Sequence, residues 1–217
     1  MLLLGPSDPL PARPRRVLVA GVAGSGKTTL ATVLADRLDL RRIELDALHH
    51  GPQWTPRPEF VADVTRLTED PGWVTEWQHG QVRRLLLDRA DTLVWLDHPR
   101  SLVMRRVVVR TLRRWALREE LWNGNREPPL RTVFTDPDHI IRWAWRGHAR
   151  MAQRMAAVLA SQPAQPSNTD PSNTDGPNTD GLNTDGLTVV RLSGQRQVNA
   201  WLAGPVRALA GTGLTRE

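Results

Sequence analysis

One segment near the start of the chain combines glycines, a lysine and a threonine at spacings suited to binding phosphate. It matches the pattern G-x-x-x-x-G-K-[ST] at every fixed position and consists of Gly21, Val22, Ala23, Gly24, Ser25, Gly26, Lys27 and Thr28. The glycines let the backbone curl so that successive amide groups point into one concavity, and the following helix presents its positive end to the same anion. The segment is therefore predicted to be a phosphate-binding loop, or P-loop, for a nucleoside triphosphate.

The polar residues that end this loop have separate predicted roles. Lys27 should reach the β- and γ-phosphates of ATP, and the Thr28 hydroxyl should ligate Mg²⁺. Thr29 could add a hydrogen bond to the α-phosphate. The flanking sequence supports the motif, because an apolar run precedes it from Arg16 to Gly21 and helical periodicity follows it from Lys27 to Leu38.

Three acids lie at the ends of other predicted strands and could serve Mg²⁺ or a phosphate acceptor. They are Asp46, Glu76 and Asp97. The carboxyl ends of parallel strands line the crevice where such sheets bind ligands. Position favours Asp46 as a catalytic and metal-binding residue. Glu76 and Asp97 stay open as the second acid, and Asp97 could instead cap the helix that begins near Pro99.

Seven arginines and no acid occur between Arg100 and Arg118. Their spacing places four of them near one stripe of a helix: Arg106, Arg110, Arg113 and Arg114. Guanidinium groups suit the delocalised charge of a moving phosphoryl group, which favours a role for this stripe in catalysis or nucleotide clamping. A solvated or nucleic-acid-binding face is the alternative.

The aromatic and imidazole side chains after Asp46 are candidates for lining a substrate pocket. His49 and His50 are adjacent, so they do not share a helix face as a metal-binding pair would. A surface or substrate-lining role is therefore favoured over metal ligation. Trp54 lies in the loop beyond Asp46 and could line the same pocket.

The bulk composition is that of a soluble globular protein. The chain has 217 residues, a formal net charge of +6 and no cysteine, which excludes disulfides and thiolate catalysis. No apolar run is long enough to span a bilayer and no signal peptide is recognisable, so a cytoplasmic location is expected. The predicted organisation is a loose leader over residues 1–14 and a single domain over 15–217.

Predicted strands alternate with helices, which indicates an α/β fold with a mainly parallel sheet of five strands. Ahead of the last predicted strand, which begins at Thr188, Asn-Thr-Asp occurs four times at a five-residue spacing, beginning at Asn168. Such turn-forming residues cannot bury enough apolar area to fold alone, so residues 161–187 are predicted to be a disordered insertion.

The motifs together resemble a known group. The chain is similar to the bacterial "topology modulation" proteins, an adenylate-kinase-like ATP-binding group related to shikimate and gluconate kinases. The resemblance lies in the P-loop and in Leu45–His49, Trp73–Glu76, Ala90–Arg100, Glu120–Glu127 and Trp143–Arg146. One departure is Glu76-Trp77-Gln78-His79, where those proteins commonly have Asp-Gly-Asn-Tyr.

The resemblance implies a P-loop NTPase fold, a three-layer sandwich whose five strands have the order 2-3-1-4-5. It further implies ATP with Mg²⁺ and a helical lid at about 113–136 that closes over the nucleotide. Carried over by position, Asp46 would face the phosphate acceptor, and the lid arginines would be Arg106, Arg110 and Arg126.

The leading hypothesis is a kinase that transfers the γ-phosphate of ATP to a nucleotide or a small hydroxylated metabolite. An oligomeric mechanochemical ATPase is disfavoured, because Asp97 is followed by His98 rather than by a glutamate. A regulatory nucleotide-binding or ATPase module acting on nucleic acid stays open as an alternative, since a basic chain attracts polyanions.

Overall fold

A computed structural model of the protein describes residues 1–117, 140–161 and 186–210. Most of the predicted lid, including Arg126, lies outside the described residues, and so do the four Asn-Thr-Asp repeats. The side chain of Arg114 lies outside them as well.

The described residues form one parallel sheet of six strands, flanked by helices. The strands are β1 (Leu2–Leu4), β2 (Arg16–Ala20), β3 (Arg41–Ile43), β4 (Trp73–Glu76), β5 (Thr92–Leu96) and β6 (Thr188–Leu192). Their order across the sheet is β1-β6-β5-β2-β4-β3, and every neighbouring pair is parallel. This arrangement confirms the predicted α/β class.

Helices connect the strands and cover the sheet. They are α1 (Lys27–Leu38), α2 (Leu45–His49), α3 (Phe60–Leu67), α4 (Gly80–Arg89), α5 (Arg100–Leu117), α6 (Ile140–Ala160), α7 (Gln195–Trp201) and α8 (Arg207–Ala210). A short 3₁₀ turn spans Pro52–Trp54, and a π-helical segment, Leu202–Val206, joins α7 to α8. No helix in these ranges is both long and apolar enough to cross a membrane.

The prediction of five strands in the order 2-3-1-4-5 was wrong, because the sheet has a sixth strand. The five predicted strands are β2 to β6 and keep their order relative to one another. The extra strand, Leu2–Leu4, lies in the segment predicted as a loose leader and pairs with β6 at the sheet edge. Leu2 and Leu3 are exposed, so backbone hydrogen bonds rather than burial hold this strand in place.

The strands alternate their side chains between two cores, one on each face of the sheet. In β2, Val17 and Val19 pack with α1 and the C-terminal helices, whereas Leu18 and Ala20 pack with α3 to α6. Because both faces are covered, β2 from Val17 to Ala20 and β5 from Leu93 to Leu96 are continuously apolar and buried. The predicted three layers are therefore present.

β2 occupies the position where the chain changes direction across the sheet. It lies between β4 and β5, with β3 beyond β4 on one side and β6 beyond β5 on the other. The loop that leaves the carboxyl end of β2 therefore opens into the crevice between the two halves of the sheet. In such sheets this crevice is where ligands bind.

Candidate active site

The predicted P-loop connects β2 to α1 and has the backbone of an anion-binding turn. Gly24 and Gly26 have φ angles of 81° and 97°, and Gly26 is the residue that precedes the first turn of α1. These are left-handed conformations that glycine adopts without steric cost. A Cβ atom on Gly24 would lie 2.5 Å from Cγ2 of Val107 on α5. The loop therefore rests directly on α5, and only glycine fits there.

Lys27 folds back over the loop. Its Nζ lies 3.3 Å from the carbonyl oxygen of Val22 and 3.7 Å from Oε2 of Glu76, and its side chain is only 10% exposed. Burial lowers the pKa of Lys27 below its usual value, and this effect outweighs the opposing charges of Glu76 and Asp46. The positive charge of Arg110 lowers the pKa further, which puts Arg110 close to the loop.

The second acid at the loop is Glu76, at the end of β4. The Thr28 hydroxyl donates a hydrogen bond of 2.7 Å to Oε1 of Glu76. Asp97, the rival candidate, accepts two hydrogen bonds from Arg191 at 2.6 and 2.9 Å. The Arg191 guanidinium also lies over the ring of Trp95. Asp97 thus belongs to an ion pair between β5 and β6, and Glu76 is the acid that contacts the P-loop.

Asp46 lies in the first turn of α2 and not at the end of a strand, because β3 already ends at Ile43. Its Oδ1 accepts hydrogen bonds of 2.9 Å from Nε2 of Gln78 and from Nε2 of His79. Burial alone would raise the pKa of Asp46, but the His79 and Gln78 hydrogen bonds and the charge of Lys27 lower it overall. Asp46 is therefore ionised at neutral pH.

The histidines after Asp46 form a cluster of rings beside its carboxylate. The rings of His49 and His79 stack at 4.3 Å between centroids, and His49 also meets the edge of Phe60 at 4.8 Å. His50 contacts Trp54 in a T-shaped arrangement at 5.1 Å. Burial lowers the pKa of both His49 and His50. The predicted pocket-lining residues are thus brought together.

His79 is the site residue that the sequence analysis missed. It lies just after β4 with a left-handed φ of 57°, which directs the chain back toward Asp46. Its position in the sequence, three residues after a strand that ends in Glu76, is the feature that could have identified it. The described residues contain no group of three or more His, Cys, Asp or Glu arranged to hold a metal ion.

One of the predicted arginines, Arg106, reaches the P-loop from α5. Arg106 donates hydrogen bonds to the Ser25 carbonyl at 3.3 Å and to Oε1 of Gln195 at 2.8 Å. It therefore bridges the loop to the start of α7. Arg110 lies one turn further along α5, close enough to Lys27 to affect its pKa. Arg113 is exposed.

A buried imidazole makes a second connection behind the loop. His98 is 2% exposed, its Nδ1 accepts a hydrogen bond of 2.9 Å from the amide of Gly194, and its carbonyl accepts one from His148 on α6. Burial lowers the pKa of His98, and the nearby charge of Arg106 lowers it further. A neutral His98 therefore ties the end of β5 to the turn before α7.

The described residues thus combine a parallel α/β sheet with a glycine-rich loop between β2 and α1 that has the backbone of an anion-binding turn. The sequence matches no model of a known protein family and no curated protein. Membership of the topology modulation group therefore stays a prediction.

Several solved structures are similar to this chain at low identity. A shikimate kinase from Acinetobacter baumannii in complex with shikimate has 19% identity over 68% of this chain and 96% of its own, with a TM-score of 0.35. A gluconokinase from Sinorhizobium meliloti 1021 has 22% identity over 69% and 99%, with a TM-score of 0.36. A shikimate kinase from Bacteroides thetaiotaomicron has 14% identity over 92% and 98%, with a TM-score of 0.40. At these scores the similarities carry no argument about activity.

Proposed function

We propose that this protein is a phosphotransferase that moves the γ-phosphoryl group of ATP to a small-molecule acceptor. The proposal rests on one observation: the P-loop residues and the acids Glu76 and Asp46 lie close together at one edge of the sheet. Lys27 and Thr28 of the P-loop contact Glu76 at the end of β4. Asp46 lies close enough for Lys27 to lower its pKa. A phosphate cradle beside an ionised carboxylate is the arrangement that phosphoryl transfer to a hydroxyl requires.

The P-loop residues fit a bound Mg²⁺ ion. Mg²⁺ prefers oxygen ligands and keeps several waters, which suits the Thr28 hydroxyl as a direct ligand and the Glu76 carboxylate as a partner through water. The bound ion would offset the negative charge on the β- and γ-phosphates. Asp46 was also predicted as a metal ligand. Its hydrogen bonds to Gln78 and His79 favour a role toward the acceptor instead.

The residues of this chain would then have separate roles in the transfer. The loop amides and Lys27 hold the phosphates, and Arg106 and Arg110, with Arg126 as a further predicted lid residue, stabilise charge on the moving group. Asp46 accepts a hydrogen bond from the acceptor hydroxyl and orients it. The acceptor oxygen bonds to the γ-phosphorus as the bond to ADP breaks. The hydroxyl proton passes to the Asp46 carboxylate, which returns it to solvent.

A low pKa makes Asp46 a weak base, so its orienting role dominates. In a loose transition state the acceptor proton is lost late, when the hydroxyl has become acidic enough for a weak base to take it. Positioning and neutralisation of charge would therefore supply most of the rate enhancement.

The direct test is transfer of labelled γ-phosphate from Mg-ATP to a panel of nucleoside monophosphates, shikimate, gluconate, uncharged polyols such as sorbitol, and nucleic-acid ends. Lys27→Ala is the control, checked by circular dichroism for an intact fold. A labelled small-molecule product that is lost in the control supports the proposal. ATP binding with hydrolysis to water alone, or with no turnover, would contradict it. Steeply salt-dependent DNA binding would then favour the regulatory alternative.

A further inference from the structure

We propose that the phosphate acceptor is an uncharged, polyhydroxylated molecule of the sugar or polyol kind, and not a carboxylate or a phosphate ester. The inference rests on the proposed function and assigns a substrate class to the same site. The acceptor would lie beside Asp46 and against a surface that we call the ring wall, formed by His49, His50, Trp54 and His79 and backed by the buried ring of Phe60.

The ring wall combines flat apolar faces with polar edges. His49 contacts the rings of His50, Phe60 and His79 at centroid distances of 4.3 to 4.8 Å. Trp54 is 37% exposed and extends the wall toward solvent. Ring faces pack against the C–H groups of a sugar, and imidazole nitrogens can donate to or accept from its hydroxyls. The wall therefore suits a ligand that has both kinds of surface.

The loop that carries Trp54 is held in an uncommon conformation. Gln53 and Trp54 both have left-handed φ angles, 56° and 59°, although neither is glycine. Such residues cost of order 1–3 kcal/mol each and tend to cluster at binding sites, where the surrounding structure enforces them. The loop is closed by hydrogen bonds from Gly51 to the Thr55 carbonyl at 2.7 Å and from Arg57 to the His49 carbonyl at 2.9 Å. These contacts keep Trp54 beside His50.

The charges near the wall disfavour an anionic acceptor. Arg57 is the basic residue of this loop, and its guanidinium already contacts Asp63 at 3.2 Å, Glu59 at 3.9 Å and the Leu48 carbonyl. Two carboxylates thus neutralise one guanidinium. Asp46 adds a negative charge that would repel a carboxylate or phosphate on the acceptor. In the described part of the chain, the cations of the site (Lys27, Arg106 and Arg110) lie at the P-loop.

The polar groups also disfavour a purely apolar acceptor. Asp46 and His79 are only partly exposed, with side-chain exposures of 28% and 16%. Covering them with an apolar molecule would leave hydrogen-bonding capacity unsatisfied, whereas acceptor hydroxyls would satisfy it. A hydroxyl bound to Asp46 is also the group that the proposed transfer would phosphorylate.

The test compares matched acceptors that differ in one charged group. The pairs are sorbitol and gluconate, shikimate methyl ester and shikimate, and adenosine and AMP, each assayed for labelled γ-phosphate transfer. We expect kcat/KM to be at least about tenfold higher for an uncharged member. Trp54→Ala should raise KM for that acceptor about tenfold with a smaller effect on kcat, because it removes part of the wall and none of the transfer machinery.

Two variants probe the charge argument directly. Arg57→Gln should leave kcat/KM for the uncharged acceptor within about threefold, because Arg57 is engaged by Asp63 and Glu59. His50→Arg adds a cation to the wall and should improve the anionic member of a pair relative to the uncharged one. A melting curve for each variant separates a binding effect from a loss of folding.

The outcomes separate this inference from the proposed function. Transfer that prefers the anionic member and collapses in Arg57→Gln would leave a kinase but overturn the uncharged acceptor. Calorimetry with a non-hydrolysable ATP analogue measures acceptor binding independently of turnover. If no acceptor is phosphorylated, the proposed function fails. Selective binding of the uncharged members would still support the ring wall as their site, and selective binding of the anionic members, or no binding, would overturn it.

Discussion

The Thr28 hydroxyl lies 2.7 Å from Oε1 of Glu76, which joins the last residue of the P-loop motif to the end of β4. This contact distinguishes Glu76 from Asp97, although one acid ends its strand and the other directly follows its strand. It also places a carboxylate beside the hydroxyl that is the expected magnesium ligand, and that placement can be tested by substitution.

Replacing Glu76 by glutamine should weaken magnesium-dependent turnover. The amide keeps the size of the side chain but lacks the charge that would hold a magnesium-bound water, and losing such a partner typically costs 10–100-fold in metal affinity or activity. We expect a rise of about that size in the magnesium concentration needed for half-maximal transfer. Asp97→Asn is the matched control. It should change turnover less than about threefold and stability by about 0–1 kcal/mol, because it removes only a partly exposed ion pair. A larger loss of turnover in Asp97→Asn than in Glu76→Gln would show that Asp97, and not Glu76, is the second acid.

Lys27 is the only lysine in the chain, which makes its amine a specific reporter of the P-loop. Its lowered pKa means that the free protein contains more uncharged amine at a given pH than an ordinary lysine would. Acetylation of Lys27, followed by mass spectrometry, should therefore begin at a lower pH than for a model lysine peptide. Mg-ATP should slow the reaction at least about tenfold, because phosphate both covers the amine and favours its protonated form. An unchanged rate with saturating ATP would contradict phosphate binding at this loop.

Gly24→Ala should disable the loop by clashing with α5. The new Cβ would lie 2.5 Å from Cγ2 of Val107, and alanine would also have to adopt a φ of 81°. We expect a loss of about 1–3 kcal/mol in the free energy of unfolding, measured by urea denaturation, with loss of ATP binding. In a double-mutant cycle, Val107→Ala should relieve part of the clash, so the double variant should be more stable than the sum of the single changes predicts. Strict additivity would mean that the loop does not rest on Val107.

The stability of the protein should fall as the pH drops below 6.5, in part because of His98. Its folded-state pKa lies below the ordinary value of 6.5, so the unfolded chain takes up the proton first. The stabilisation from neutral His98 is complete above pH 6.5 and is lost as pH falls from there toward the folded pKa. Each such group contributes at most about 1.4 kcal/mol per pH unit. Asp46, whose pKa lies below 3.8, acts only at lower pH.

His98→Asn isolates this contribution, because the amide oxygen can still accept the Gly194 hydrogen bond but does not titrate. The groups that act on the His98 imidazole are Arg106 on α5, the adjacent Asp97 and the Ser25 backbone, while His148 on α6 contacts only the His98 carbonyl. Between pH 6.5 and 5, the melting temperature of the variant should depend less steeply on pH than that of the parent chain. If the melting temperatures of the two proteins change equally with pH, the acid sensitivity would be assigned to His49 and His50. Their pKa values are shifted in the same direction.

The local order of residues was enough to predict the P-loop and the α/β class. A glycine pattern between an apolar strand and an amphipathic helix depends on neighbours in the chain, and the observed loop follows directly from it. The helix predicted over Lys27–Leu38 has those bounds for the same reason, whereas Asp46, predicted at the end of a strand, lies in α2. The strand at Leu2–Leu4 was missed because it is held by backbone pairing to β6, almost the whole length of the chain away.

The second half of the site depends on contacts between distant segments, and no local pattern encodes them. Asp46, Gln78 and His79 come together because β3 and β4 are neighbours in the sheet, although more than thirty residues separate them in sequence. The choice of Glu76 over Asp97 follows from strand order as well, since β4 brings its acid to Thr28 whereas the acid after β5 meets Arg191 on β6. Residue types and spacing therefore specify the glycine-rich loop, whereas the packing of parallel strands selects the carboxylates and rings that surround it.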